Sequence, residues 1–206
     1  MKDNRLKEQV LKEIRDALIN KNSIDNPALS AAEGNTFINA DNEDLSVLFA
    51  QNFTRRGGTM YYCYNEADIR NRILDIQHRH GDVVIGCASE NLTSFLGHLD
   101  IENRCTCDLS MRYPLGAILC EALTAWQGGI VISSNLGLGS TTTALFDATI
   151  VLAFTSQVVP DWESANERLK MLYPHFPDSL MLTHPGSYAY RKGQQKLYLI
   201  LIEDED

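Results

Sequence analysis

Residues 117–135 read AILCEALTAWQGGIVISSN, residues 137–143 continue as GLGSTTT, and a second apolar run follows at residues 148–154. The pair Gly128-Gly129 precedes the first apolar run at residues 130–132, and the loop at residues 137–143 holds two glycines and four hydroxyl residues. Loops carried on a rigid sheet are common binding sites. The order strand, polar loop, strand therefore predicts that a ligand binds at one edge of an α/β sheet. Charged residues of the kind that make such an edge catalytic are scarce in this stretch.

The rest of the chain alternates helical and strand-like patterns, which predicts an α/β fold with a mostly parallel sheet and helices on both faces. Residues 117–126 fit either a buried helix or one arm of a hairpin turning at Gly128, and the hairpin is favoured. The other predicted elements are helices at 41–56, 65–81, 89–96 and 161–173, and strands at 59–64, 82–87, 104–108, 148–154, 179–183 and 196–202.

Two regions are predicted along the 206 residues: an N-terminal amphipathic helix with a linker at 1–40, and an α/β domain at 41–206. A formal net charge of −9 argues against binding nucleic acid or an anionic membrane surface. No apolar run has the roughly 20 residues that a membrane span requires, and the N-terminus lacks the apolar core of a signal peptide. The expected location is therefore cytoplasmic, with the five cysteines reduced. The first helix is expected to dock on the domain, on a partner protein or on a second copy of the chain.

Several segments resemble, in the same order, the LUD domain of the lactate utilisation protein C family. They are the phenylalanine-bearing helix before Gly57-Gly58, residues 121–131, residues 144–153, Ser156-Gln157-Val158-Val159-Pro160 and residues 183–190. The resemblance covers about residues 41–202 and implies a fold like that of the NagB, ribose-5-phosphate isomerase and CoA-transferase group. It also implies an association with oxidation of L-lactate to pyruvate, alongside iron–sulfur oxidoreductase partner proteins.

The chain departs from this family where the family has ionisable residues. Trp126 stands at the position of an acid, Thr149 at that of a histidine, and Tyr190 at that of an aspartate. Trp and Tyr cannot take over the proton chemistry of an acid or a base. The resemblance therefore implies an accessory or small-anion-binding protein with degenerate catalytic motifs. One alternative is a NagB/CoA-transferase-like enzyme acting on a small phosphorylated or carboxylated substrate, in which Glu121 is the remaining candidate for a catalytic carboxylate. The other is a non-catalytic structural partner-binding protein.

The candidate ligand residues combine glycines that expose backbone N–H groups with hydroxyl and imidazole side chains suited to a small carboxylate or phosphate. They are Gly128, Gly129, Ser140, Thr141, Thr142, His184 and Ser187. The competing interpretation makes Ser140 or Thr141 a helix cap and residues 184–187 a Pro-Gly turn. Cys105 and Cys107 lie too close together for a zinc pair, and no cofactor or metal is predicted.

Overall fold

The computed structural model describes residues 42–106, 111–136, 145–187 and 196–204. These residues form four α-helices, ten strands and two short 3-10 helices. The α-helices are α1 (Asn42–Arg55), α2 (Glu66–Arg79), α3 (Glu90–His98) and α4 (Trp162–Leu172). The strands are β1 (Thr59–Cys63), β2 (Ile85–Cys87), β3 (Asn103–Cys105), β4 (Tyr113–Leu119), β5 (Ala122–Thr124), β6 (Gly129–Ser133), β7 (Phe146–Phe154), β8 (Val158–Val159), β9 (Leu180–Thr183) and β10 (Lys196–Ile202). The 3-10 helices span Ser134–Leu136 and Thr155–Gln157.

The main sheet has six strands in the order β1-β10-β7-β4-β2-β3, and every neighbouring pair is parallel. The central strands β7 and β10 are apolar almost throughout, with nearly every residue buried. Continuous apolar character is expected of strands covered on both faces, where polar and apolar positions cannot alternate. The predicted α/β fold with a mostly parallel sheet is confirmed.

A second sheet of four strands, in the order β8-β5-β6-β9, is built around a hairpin. Strands β5 and β6 pair antiparallel, with Leu123 opposite Ile130, and residues 125–128 make the turn between them. The hairpin interpretation of this segment is therefore confirmed, although residues 117–119 belong to β4 of the main sheet. Strand β5 has only three residues and β8 has two, and such short runs show no periodicity that a sequence pattern could reveal.

The two sheets and the helices stack in layers. Helices α2 and α3 pack their apolar residues on one face of the main sheet. The other face is covered by the second sheet and by α1, which contributes Phe49 and Phe53 to the buried layer. Helix α4 covers the outer face of the second sheet through Ala165 and Leu169. Helices therefore lie on both faces of the main sheet, as the sequence pattern predicts.

Side-chain caps fix where three of the helices begin. The side chains of Asn65, Ser89 and Asp161 each accept a hydrogen bond from a backbone N–H in the first turn of α2, α3 and α4. None of the helices in the described ranges combines the length and apolar character needed to cross a bilayer. The helix predicted within residues 1–40 lies outside the described residues.

Candidate functional site

Three neighbouring parallel strands are each followed by a polar residue two positions after the strand ends. Glu121 follows β4, Ser156 follows β7, and Asp204 follows β10. Since β7 lies between β4 and β10 in the sheet, Ser156 occupies the middle strand end of the three. The carboxyl ends of parallel strands are where α/β folds bind their ligands. We therefore take this edge, with the side chains around it, as the candidate site and call it the strand-end site.

Glu121 is held rigidly inside the protein at this edge, with only 1% of its surface exposed. Its carboxylate accepts hydrogen bonds from the hydroxyl of Ser133, at the end of β6, and from the hydroxyl of Tyr173, just beyond α4. The Tyr173 oxygen lies 3.1 Å from each carboxylate oxygen. Burial raises the pKa of Tyr173, and the negative charge of Glu121 raises it further, so this phenol stays protonated and donates a hydrogen bond to the carboxylate.

Arg168 of α4 brings a positive charge to the same site. Its Nε and Nη2 atoms are buried and have no hydrogen-bond partner in the described part of the chain. Burial lowers the pKa of this guanidinium, while the carboxylates of Glu121 and Asp204 act in the opposite direction. The Nε and Nη2 hydrogens of an arginine form one of the two planar forks that bind a carboxylate or a phosphate through paired hydrogen bonds. The strand-end site therefore contains a buried guanidinium fork whose Nε and Nη2 hydrogens have no acceptor among the described residues.

The segment after β7 is fixed from both sides. The Asp204 Oδ2 atom accepts hydrogen bonds from the Ser156 backbone N–H at 2.6 Å and from the Thr155 hydroxyl at 2.8 Å. On the other side, the Gln157 side chain donates to the Cys120 carbonyl at 2.6 Å and accepts from the backbone N–H that ends β7 at 2.7 Å. Between these two anchors, the Ser156 hydroxyl oxygen is buried without a hydrogen-bond partner among the described residues.

Gly128 and Gly129 lie at the opposite end of the β5–β6 hairpin from Glu121, where both are buried. Gly128 has a φ of 57°, and a Cβ built there would lie 2.6 Å from the backbone nitrogen of Phe53 in α1. Beside it, the Asn52 side chain donates to the carbonyl of Ala125 at 2.9 Å. Gly128 thus packs closely against α1, whereas a Cβ at Gly129 would meet Leu182 of β9 and Thr124 of β5.

His184 and Ser187 form a turn after β9, at the same end of the second sheet as Gly129. Strand β9 places Thr183 opposite Ile130 of β6, and the Thr183 and Ser187 hydroxyl oxygens lie 3.1 Å apart. The Nδ1 atom of His184 lies 3.0 Å from the carbonyl of Pro185. His184, Ser187 and the two glycines are thus brought to one end of this sheet, while Glu121 lies at the other. Ser140, Thr141 and Thr142 lie outside the described residues.

The sequence patterns do not predict Arg168, Tyr173 or Asp204 as site residues. One signal was present for Arg168: it follows Ala165 by three positions and precedes Leu169, so it falls within the buried stripe of α4. An arginine inside an apolar stripe needs polar partners and so marks a position of interest. Over the ranges the structure describes, no group of three or more His, Cys, Asp or Glu side chains is arranged to hold a metal ion.

Comparison with solved structures shows a likeness to a DUF162 family protein from Deinococcus radiodurans. The two structures align with a TM-score of 0.64 at 12% sequence identity, covering 79% of this chain and 99% of that chain. No protein-family model matches the sequence, and no curated protein matches it. The α/β fold is therefore shared with a DUF162 family protein.

Proposed function

We propose that this chain is a LUD-like accessory protein of L-lactate utilisation, which binds a small carboxylate at the strand-end site. The sequence resemblance to the LUD family supports the pathway, and so does the fold shared with a DUF162 protein, whose family is LUD-domain-like. The observation that carries the binding proposal is the buried fork of Arg168, whose Nε and Nη2 atoms have no hydrogen-bond partner among the described residues. A ligand carboxylate would supply both missing acceptors at once.

Charge favours a monocarboxylate over a phosphate at this position. The guanidinium of Arg168 is the single cationic group that we assign to the site, and the carboxylates of Glu121 and Asp204 already act on it. A ligand with two negative charges would be repelled by both carboxylates, and this repulsion is strong where water is excluded. A ligand with one negative charge meets the same fork with less repulsion.

The surroundings of Glu121 favour binding over covalent catalysis. Both of its carboxylate oxygens are 3.1 Å from the hydroxyl of Tyr173, and Ser133 donates to one of them. A carboxylate that attacks a substrate must present a lone pair to it, whereas these hydrogen bonds hold the group in place and lower its nucleophilicity. The transferase-like alternative therefore ranks second to a binding role in which Glu121 helps to position Arg168.

The proposed partners follow from the pathway. An accessory protein of lactate oxidation would work with iron–sulfur oxidoreductase components, and the helix predicted at residues 6–18 would provide a docking element for them or for a second copy. Genes for such components adjacent to the gene for this chain would support the assignment. Their absence from the neighbourhood in several genomes would count against it.

The binding proposal is tested with purified protein, L-lactate, pyruvate and inorganic phosphate, by isothermal titration calorimetry and thermal shift. Arg168→Gln removes the fork, and Arg168→Lys keeps a positive charge without it. Lys170→Gln is the matched control, since Lys170 is an exposed cation on the same helix. We expect both Arg168 variants to weaken binding of the better carboxylate by about 10- to 100-fold, the range of a charge-assisted bidentate contact. We expect the control to bind like the wild type.

Two results would contradict the proposal. One is that none of these ligands shifts the melting temperature or releases heat on titration. The other is that a carboxylate binds equally well to the wild type and to Arg168→Gln. Melting curves without ligand show whether each variant is folded, so a loss of binding is not mistaken for a loss of structure.

A further inference from the structure

Two cysteines face each other on neighbouring strands at the edge of the main sheet, and the proposed function uses neither of them. Strand β3 is the last strand in the sheet order, and its Cys105 is the direct partner of Cys87 in β2. Neighbouring strands lie about 4.8 Å apart. Disulfides join residues whose Cα atoms are about 4.4–6.8 Å apart, so the backbone spacing of this pair suits a disulfide.

The side chains of the two cysteines lie on the same face of the sheet. Partners in register on neighbouring strands point to one side, and residues two apart along a strand share that side. The Cys87 Sγ atom lies 3.6 Å from Oδ1 of Asn103, which is two positions before Cys105 in β3. The side chains of this face of β3 therefore reach the Cys87 sulfur, and Cys105 is the residue directly opposite it.

The two thiols differ in their access to solvent. Both are reduced in this structure, and Cys87 is fully buried whereas Cys105 is partly exposed. The pKa of Cys87 is raised to about 12, mainly by burial and also by the charge of Cys105. An oxidant in solution therefore meets Cys105 first, and Cys87 is the thiol placed to react next.

We propose that Cys87 and Cys105 form a reversible dithiol–disulfide pair that is oxidised by hydrogen peroxide. The Cys105 thiolate attacks one peroxide oxygen, the O–O bond breaks, and hydroxide leaves as the sulfur becomes a sulfenic acid. The Cys87 sulfur then attacks the Cys105 sulfur, the S–O bond breaks, and the departing hydroxide takes up the Cys87 proton to become water. The two sulfur atoms together lose two electrons, and the peroxide is reduced to water.

Reversibility follows from the spacing of the strands. The Cβ atoms of a disulfide are usually about 3.8 Å apart. This is closer than the strand spacing of about 4.8 Å, so β2 and β3 must draw together to form the bond. A disulfide formed under such strain is easier to reduce than a structural one. Strand β3 has three residues and, in the described part of the sheet, pairs with β2 alone, so it is the strand that can shift.

Tryptic digestion separates the two cysteines, since it cuts after Arg79, Arg104 and Arg112 and so places Cys87 in peptide 80–104 and Cys105 in peptide 105–112. The reduced full chain is treated with hydrogen peroxide, and the remaining thiols are blocked with N-ethylmaleimide. The digest is then analysed by mass spectrometry without reductant. We expect these two peptides to be cross-linked and two of the five titratable thiols to be lost. Reduced glutathione should restore all five.

Single variants test the pairing. Cys105→Ser and Cys87→Ala should each abolish the cross-link. Cys63→Ala is the matched control, because Cys63 is also a buried strand cysteine but has Ile202 as its strand partner, and it should form the cross-link like the wild type. Cys107→Ser changes the other cysteine of peptide 105–112 and should keep the cross-link as well. Melting curves show that each variant is folded.

Three results would overturn this inference. The first is that peroxide treatment of the wild type gives no cross-link between the two peptides. The second is a cross-link that survives in Cys105→Ser. The third is a cross-link that reduced glutathione leaves intact, which would make it a permanent structural bond. None of these results depends on the binding of a carboxylate, so this inference and the proposed function are tested separately.

Discussion

Replacing Gly128 by alanine asks whether this residue is a glycine for packing or for ligand binding. Two independent features oppose a side chain there. The backbone φ is 57°, in the region that L-residues with a Cβ rarely adopt. A Cβ would also lie 2.6 Å from the backbone nitrogen of Phe53 and 2.7 Å from the carbonyl carbon of Asn52. Both contacts are with helix backbone, which cannot move aside as a flexible side chain would.

The expected destabilisation is the sum of the two effects. A residue with a Cβ in the left-handed region costs about 1–2 kcal/mol. Forcing an extra carbon into a close contact costs about 1–3 kcal/mol. Gly57→Ala isolates the first effect, because Gly57 has a φ of 94° and a Cβ there meets nothing within 4 Å. We therefore expect Gly128→Ala to lower the free energy of unfolding by about 2–5 kcal/mol and Gly57→Ala by about 1–2 kcal/mol.

The measurement is chemical denaturation of both variants beside the wild type, with thermal melting as a second readout. For a chain of this size, 1 kcal/mol corresponds to about 2–4 °C in melting temperature, so the two variants should differ clearly. If Gly128→Ala is no less stable than Gly57→Ala, the packing argument is wrong. If Gly128→Ala keeps its stability and loses affinity for small carboxylates, the paired glycines belong to a ligand site, as the sequence pattern first predicted.

Two further predictions concern single side chains. Tyr173→Phe removes the hydroxyl that donates to the buried carboxylate of Glu121, and we expect it to lower the free energy of unfolding by about 2 kcal/mol. The exposed Tyr64→Phe change should stay within about 0.5 kcal/mol of the wild type, and equal losses in the two variants would contradict the assigned contact. Burial lowers the pKa of His80, and the charge of Lys196 lowers it further. As the pH falls, His80 is therefore protonated in the unfolded chain before it is protonated in the folded one. The free energy of unfolding should then decrease as the pH drops below about 6.5. His80→Gln should flatten this part of the stability curve between about pH 7 and 5, and an unchanged slope in urea titrations across that range would show that His80 does not cause it.

The features that the sequence predicted are those set by local patterns. In α2, the cap Asn65 satisfies a backbone N–H of the first turn, and the inward-facing Ile69, Ile73 and Ile76 follow the 3.6-residue period. The central parallel strands were recognisable from their continuous apolar runs, which reflect burial on both faces of the sheet. Local chemistry therefore gave the order of elements and the class of fold.

The site was harder to predict because its residues meet only through the order of strands in the sheet. Glu121 and Asp204 are 83 positions apart, and they share an edge because β4, β7 and β10 are consecutive in space. No local periodicity encodes that order. Paired glycines are conspicuous in a sequence, yet the structure places Gly128 against α1 and Gly129 against Leu182 and Thr124, at the other end of the hairpin from Glu121.

The strand-end site satisfies the charge of Arg168 without satisfying its hydrogen bonds, and this difference gives the site its selectivity. The carboxylates of Glu121 and Asp204 compensate the guanidinium electrostatically, which acts over several ångströms and in all directions. Hydrogen bonds act only at short range and along the N–H directions, and the Nε and Nη2 atoms have no such partner among the described residues. A ligand therefore gains little from charge alone, since a bare anion would be repelled by the two carboxylates. It gains mainly from placing a planar carboxylate on the fork, so shape and hydrogen-bond direction, more than net charge, should rank the acids that bind.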